Sequence, residues 1–303
     1  MKLGLLTAIL ADMTFEEAVD YAAKTGFQAL EVACWPNEAA TRRYAGVCHI
    51  DVDTLTDEKA QYINQYCAAR NIFISSLAYY PNNLDEDLEK RVKCNEHLKK
   101  VILASEKLGV GMVTTFIGRM QHKGIEENFE AFQQVWKPLI RFAEEHQVKV
   151  AIENCPMLFS RDEWPGGQNL AFSPANWKRM FSLIASAYFG LNFDPSHFVW
   201  QMMDYVKPVY EFRGKMFHIH FKDIKLMRDK LNEVGVLAYP LEYMKPKIPG
   251  LGDIDWGKFV SALTDIGYDG AACIEVEDKA FEKSQADILR SVDQAYRDMH
   301  TYC

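Results

Sequence analysis

Four apolar runs in the second half of the chain each lead to residues that can carry charge. KVAIENCP reaches Glu153, FGLNFDPSHF reaches Asp194 with His197 three residues on, MFHIHFKD carries His218 and His220, and AACIEVED carries Glu275 and then Glu277. Carboxylates with an imidazole form a mixed oxygen and nitrogen shell, which suits Mn2+, Mg2+ or Co2+ with water or substrate completing it. No thiolate is needed, which argues against a structural zinc site. A carboxylate at the end of a buried strand is costly alone, and four such groups around one cation remove that cost. His218 and His220 fall on one strand face, as do Glu275 and Glu277. His220 is the favoured ligand of the first pair, and spacing leaves the second pair open.

These runs belong to a longer series: Lys2–Leu6, Ala29–Ala33, Ile72–Leu77, Met112–Phe116, Lys149–Glu153, Phe189–Phe193, Met216–Phe221 and Ala271–Val276. Several are continuously apolar, the pattern of parallel strands covered on both faces. Amphipathic stretches lie between them: Thr14 to Lys24, Asp57 to Arg70, Leu88 to Leu108, Asn128 to His146, Pro174 to Ala187, Asp255 to Ile266 and Lys279 to His300. Thr14 and Glu17 stand at capping-box spacing and Gly26 supplies the stop. Strand starts are spaced by roughly 38 residues, room for one crossover helix each time.

Eight βα units predict a closed (β/α)8 TIM barrel covering residues 1–303 as one domain. A doubly wound open sheet is the competing architecture, but Leu6–Thr14 lacks the glycine-rich turn it would carry. In a barrel the chemistry sits where strands end, so the four charged endings would meet on one side of the mouth. One connection is long, Lys225 to Asp255 after strand seven, with Pro240, Pro246, Pro249, Gly250 and Gly252. A loop of that length on a barrel reads as a substrate lid.

Composition narrows the function classes. Lys plus Arg is 34 against 42 for Asp plus Glu, a net charge of −8 that disfavours broad binding to a phosphate backbone. No apolar run approaches the ~18 residues of a membrane span. The seven cysteines form no CxxC pair and several sit in apolar runs, which fits a reducing cytoplasm. The opening LGLLTAILA could imitate a signal peptide but reads better as a first buried strand.

IENCP, NFDPSH, HIHFKD, PGLGDIDW and CIEVED, with GFQALEV near the start, resemble the sugar-phosphate isomerase/epimerase superfamily. This is the xylose isomerase-like, AP endonuclease-type TIM barrel group. The resemblance implies one divalent ion, Mn2+ as first choice with Mg2+, Co2+ or Zn2+ as the others, held by Glu153, Asp194, His220 and Glu275. It selects Glu275 over Glu277. It also implies that Glu153 and Glu275 exchange the substrate proton and that His197 binds substrate. Ketose 3-epimerases of the group place an Arg six residues beyond the His ligand, where this chain has Leu226.

The expected reaction is proton abstraction beside a carbonyl of a sugar or sugar phosphate through a metal-stabilised enediolate, with a carboxylate on each face to take and return the proton. Lys222, His218, Glu31 and Trp35 are the further expected substrate contacts, with Tyr79, Trp164 and Trp200 as other aromatic candidates. A metal-dependent lyase on 3-oxo-glycosides, of the C-glycoside deglycosylase catalytic-subunit type, is the second reading. It would bring a small partner subunit. A non-catalytic sugar-binding barrel is a third. Partners otherwise comprise a small carbohydrate and a second copy of the chain, with no nucleic acid and no membrane.

Overall fold

A computed structural model describes residues 1–37, 45–158 and 161–303. The apolar runs become β1 (Lys2–Leu6), β2 (Ala29–Ala33), β3 (Phe73–Ala78), β4 (Met112–Thr115), β5 (Lys149–Glu153), β6 (Phe189–Phe193) and β7 (Met216–Phe221). A two-strand insertion follows, β8 (Asp223–Leu226) and β9 (Met244–Lys247), and β10 (Ala271–Ile274) completes the series. The barrel strands are parallel, each pairs with its neighbour in sequence, and β10 lies between β7 and β1, so the ring closes. This is the predicted (β/α)8 TIM barrel.

The helices are α1 (Phe15–Thr25), α2 (Asp57–Ala68), α3 (Leu88–Lys107), α4 (Ile125–Glu145), α5 (Pro174–Leu183), α6 (Ser196–Trp200), α7 (Lys207–Glu211), α8 (Arg228–Val234), α9 (Trp256–Asp265) and α10 (Gln285–Met299). The α1 capping box forms as the spacing predicts. The Thr14 hydroxyl accepts from the Glu17 N–H at 3.2 Å, and the Glu17 carboxylate accepts from the Thr14 N–H at 2.8 Å. Gly26 ends α1 at φ 108°, a conformation other residues rarely adopt, and a Cβ there would strike Tyr296 of α10. The expected helix Lys279–His300 is instead a short 3-10 turn followed by α10. The Asp278 and Ser284 side chains each accept a backbone N–H and restart the chain. Trp136 and Trp177 are fully buried, and Trp136 donates its indole N–H to the Ile117 carbonyl at 3.0 Å. No described helix is long and apolar enough to cross a membrane.

The interior of the barrel is polar along part of its axis. Ser75 of β3, Glu31 of β2 and His218 and His220 of β7 touch one another across the lumen. Buried this deeply, these groups meet their hydrogen-bonding needs through one another. The whole column therefore acts as a rigid support for whatever rests on top.

The long connection after β7 has structure of its own. Only Lys222 separates β7 from β8, which pairs antiparallel with β9, and Pro246 stands opposite Ile224. Proline is tolerated because this is a two-stranded edge. The arm is tied down by Asp223, whose carboxylate accepts from the N–H groups of Gly250, Gly252 and Ile254 and from the Trp256 indole at 3.0–3.3 Å. HIHFKD and PGLGDIDW thus meet at one carboxylate. A Cβ on Gly252 would lie 2.1 Å from an Asp223 oxygen, so only glycine permits the approach. Asp223→Ala should strand several buried donors and cost about 2 kcal/mol or more. Amide hydrogen exchange across residues 223–256 checks it; unchanged protection there would show that the tether does not hold the arm.

Candidate metal centre and active site

The four charged strand endings converge. Glu153 closes β5, Asp194 follows β6, His220 lies in β7, and Glu275 follows β10 with its N–H on the Phe221 carbonyl at 3.0 Å. One ligand atom from each lies within 4.8 Å of the other three. The His220 Nδ1 is 3.0 Å from a Glu275 oxygen and 3.9 Å from a Glu153 oxygen. Glu153 Oε1, Asp194 Oδ2, His220 Nδ1 and Glu275 Oε2 are all buried, and beyond one another and His197 no protein group among the described residues faces them. Three buried carboxylates gathered this closely repel one another, a cost that a cation among them would remove, so the group could hold a metal ion. The donor set, three carboxylates and one imidazole, suits a divalent ion.

The rest of each ligand is held. Asn154 and Asp194 clamp β5 to β6 reciprocally: the Asn154 amide donates to the Asp194 carbonyl and accepts from the Asp194 N–H, both at 2.8 Å. Asp194 Oδ1 accepts from the Ser196 N–H at 2.8 Å, which leaves Oδ2 for the centre. Asn169 donates to the carbonyls of Glu153 and Cys155, fixing the turn after β5. Glu31 Oε2 lies 2.7 Å from His220 Nε2, and its other oxygen accepts from Tyr80 and Thr114 hydroxyls. A proton on Nε2 satisfies Glu31 and leaves the Nδ1 lone pair facing the cluster, the carboxylate–histidine–metal arrangement.

The electrostatics are those of opposed charges in a largely buried site. Burial, then the charge of Glu275, pushes the Glu153 carboxyl up. Burial alone would raise Glu275 as well, but Lys222 and His220 hold it well below the usual range. Burial also opposes ionisation of Glu31, yet the His220 and His218 charges bring it down to about 2. Lys222 is only 4% exposed and bridges Glu275 at 3.0 Å and Glu277 at 2.6 Å; burial is outweighed and it stays charged.

A cavity of about 730 Å³ opens above the centre. Glu153, His197, Lys222 and Glu275 form its charged floor, while Asp194 and His220 lie behind it. Trp35 lines the wall, as does Trp200. His197 sits 3.1 Å from Asp194 and 3.5 Å from Glu153. Glu31 and His218, expected as substrate contacts, are both fully buried and absent from the cavity wall. They belong to the support column under His220: His218 bonds Ser75 at 3.1 Å and Asn192 at 3.0 Å, and burial lowers its imidazole to about 4. Tyr79 is likewise buried, against His97, and Trp164 lines a smaller neighbouring groove.

Residues 19–296 match the family model described as a xylose isomerase-like TIM barrel. The chain belongs to that family. The uncharacterized protein YfiH of Bacillus subtilis (strain 168) is 26% identical over 317 residues, which cover 97% of each chain. Among solved structures, D-psicose 3-epimerase with D-tagatose from Clostridium cellulolyticum H10 superposes at a TM-score of 0.73 with 14% identity, over 100% of this chain and 99% of that one. The IolI protein with a bound zinc atom superposes at 0.71 with 17% identity, over 100% and 99%. At these identities the two structures speak to the fold.

Leu226 lies in β8 and packs with Trp200, Ile224 and Tyr243 in a small cluster of its own. The antiparallel pairing begins at Asp223, so the position six residues past His220 is committed to the arm. Lys222 supplies the cation at the floor. Asn154, Asn169 and Asn192, which the sequence reading did not single out, are the side chains that fix the geometry. Their one sequence signal is position, since Asn154 follows Glu153 and Asn192 precedes Asp194 by two.

Proposed function

We propose that the protein is a divalent-metal-dependent isomerase or epimerase of a sugar or sugar phosphate, moving a proton at a carbon beside a carbonyl. One observation carries this reading: of the four side chains whose ligand atoms converge, the two glutamates also line the cavity, where a substrate carbon could reach them. A divalent cation held by Glu153, Asp194, His220 and Glu275 would stabilise negative charge on the oxygens flanking the deprotonated carbon. Mn2+ is the first choice by the family resemblance, and the donor set suits Mg2+ or Co2+ as well.

Glu153 and Glu275 serve as the base and acid pair, each able to take a proton from one face of the substrate and return it. His197 orients a hydroxyl from its place beside Glu153 and Asp194. Lys222 keeps Glu275 ionised and donates to a substrate oxygen. Trp35 offers a flat apolar face to the sugar ring.

The test is a panel of ketoses and sugar phosphates incubated with the protein in D2O, with Mn2+ and with chelator, and read by proton NMR. Deuterium should enter at one carbon next to the carbonyl only when Mn2+ is present. No incorporation across the panel would sink the reading. Binding should also register as stability: at 100 times the dissociation constant the linkage is worth about 2.7 kcal/mol. The melting temperature should rise with Mn2+ and the rise should vanish in Asp194→Asn.

The apolar upper wall of the cavity favours the second reading, a lyase on 3-oxo-glycosides. It uses the same deprotonation and differs in the fate of the substituent that the cavity would hold.

A further inference from the structure

We infer that Cys34 and Cys48 are a redox pair that closes to a disulfide and clamps one wall of the cavity. Cys34 directly follows β2 and stands opposite Cys48 in a single antiparallel bridge. The hydrogen bonds of that bridge flank the pair and do not join it. The Trp35 N–H donates to the Val47 carbonyl at 3.2 Å, and the His49 N–H donates to the Ala33 carbonyl at 2.9 Å. Cys34 and Cys48 therefore occupy a non-hydrogen-bonded position, where opposed Cα atoms lie about 4.5 Å apart and side chains come closest. A disulfide spans Cα separations of roughly 4.4–6.8 Å, so the bridge brings the two sulfurs within bonding reach with little backbone movement. Both are free thiols, and among the described residues no other two cysteines face each other across a ladder.

The pair sits behind the cavity. Trp35, next to Cys34, lines it, as do Ala8 and Ile9 of the 3-10 turn Thr7–Leu10. His49, next to Cys48, holds that turn: its Nδ1 lies 3.0 Å from the Thr7 hydroxyl and its Nε2 3.2 Å from the Leu10 carbonyl. The Thr7 hydroxyl in turn accepts from the Ala33 N–H at 2.9 Å. A covalent bond between Cys34 and Cys48 locks together the segments that carry this wall. It also closes the loop from Cys34 to Cys48, which removes freedom from the unfolded chain. The inference is independent of the proton-transfer reading, since neither cysteine belongs to the candidate metal centre.

The pair reacts through closeness, without activation of either thiol. Burial holds the Cys34 thiol well above its usual value, and burial together with Asp51 and Asp53 pushes Cys48 up to about 11. The thiolate is the reacting form, so oxidation at neutral pH is slow and calls for sustained peroxide. Hydrogen peroxide meets Cys48 first, the more exposed of the two. The Cys48 sulfur attacks one peroxide oxygen, and the other leaves with the thiol proton as water, giving a sulfenic acid. The Cys34 sulfur then displaces that hydroxyl, and the Cys34 proton completes a second water. Two thiols lose two electrons to become one disulfide, and one peroxide is reduced to two waters.

The experiment treats the folded, reduced protein with hydrogen peroxide. Remaining thiols are blocked with iodoacetamide under denaturing conditions, and peptides are mapped by mass spectrometry without reduction. A peptide joining Cys34 to Cys48 should accumulate ahead of any other link. The oxidised protein should melt several degrees above the reduced one, and dithiothreitol should reverse the shift. Cys34→Ala and Cys48→Ser should each abolish it. Alkylation of both cysteines, oxidation of Cys48 to the sulfinic acid in place of the link, or coupling of either to a different cysteine overturns the inference. A linked chain that melts where the reduced chain does removes the clamp and overturns it as well.

Discussion

Glu153→Gln and Glu275→Gln should each slow proton exchange by about 10²–10⁴-fold, the usual contribution of a positioned acid or base, while the protein stays folded. The fold should survive for reasons visible at each site. Burial disfavours the charge on Glu153, so a neutral amide of the same shape removes an unfavourable term. Glu275 is one of two partners of Lys222, and Glu277 at 2.6 Å remains to hold that ammonium when the other is neutralised. Exchange is to be measured at Mn2+ concentrations that saturate each variant by titration, because both residues are also placed as ligands. Thermal melting checks the fold. Ordinary exchange in either saturated variant would remove that residue from the proton-transfer pair.

Glu31→Gln should weaken Mn2+ binding by about 10–100-fold, the range seen when a group supporting a metal ligand is changed. Glu31 accepts from His220 Nε2 at 2.7 Å and is itself held by Thr114 at 2.6 Å and by Tyr80. A glutamine can turn its amide N–H toward Nε2, which then accepts and moves the imidazole proton to Nδ1, the atom facing the other ligands. The metal must displace that proton before it binds. Titration calorimetry with Mn2+ measures the effect directly, without substrate. An unchanged dissociation constant would show that Glu31 does not set the state of His220.

The barrel was legible because its strands are short apolar runs at even spacing. β1, β2, β5, β6 and β7 have the expected limits, and β3, β4 and β10 differ by one or two residues where a strand frays into a loop. The four cradle residues were legible because a charge at the end of an apolar run is conspicuous. Two things were hidden. MKPK, with two lysines and a proline, does not look like a strand, and it becomes one only because β8 offers it an edge. Glu31 lies in the middle of its apolar run, where Glu153 closes its own, and its residue type alone placed it among the substrate contacts. What separates them is depth along the barrel axis. Glu31 pairs with Ser76 of β3 and contacts His220 from below, with Val32 and Ala33 still to come before its strand ends.

The arm and the floor are joined through two consecutive residues: Lys222 sets charge at the reacting end and Asp223 fastens the roof. The stretch between Leu226 and Gly250 could therefore be exchanged for one of different length and character, as long as the fastening at Asp223, Gly252 and Trp256 is kept. Selectivity would then be open to redesign by grafting a replacement segment onto an untouched barrel.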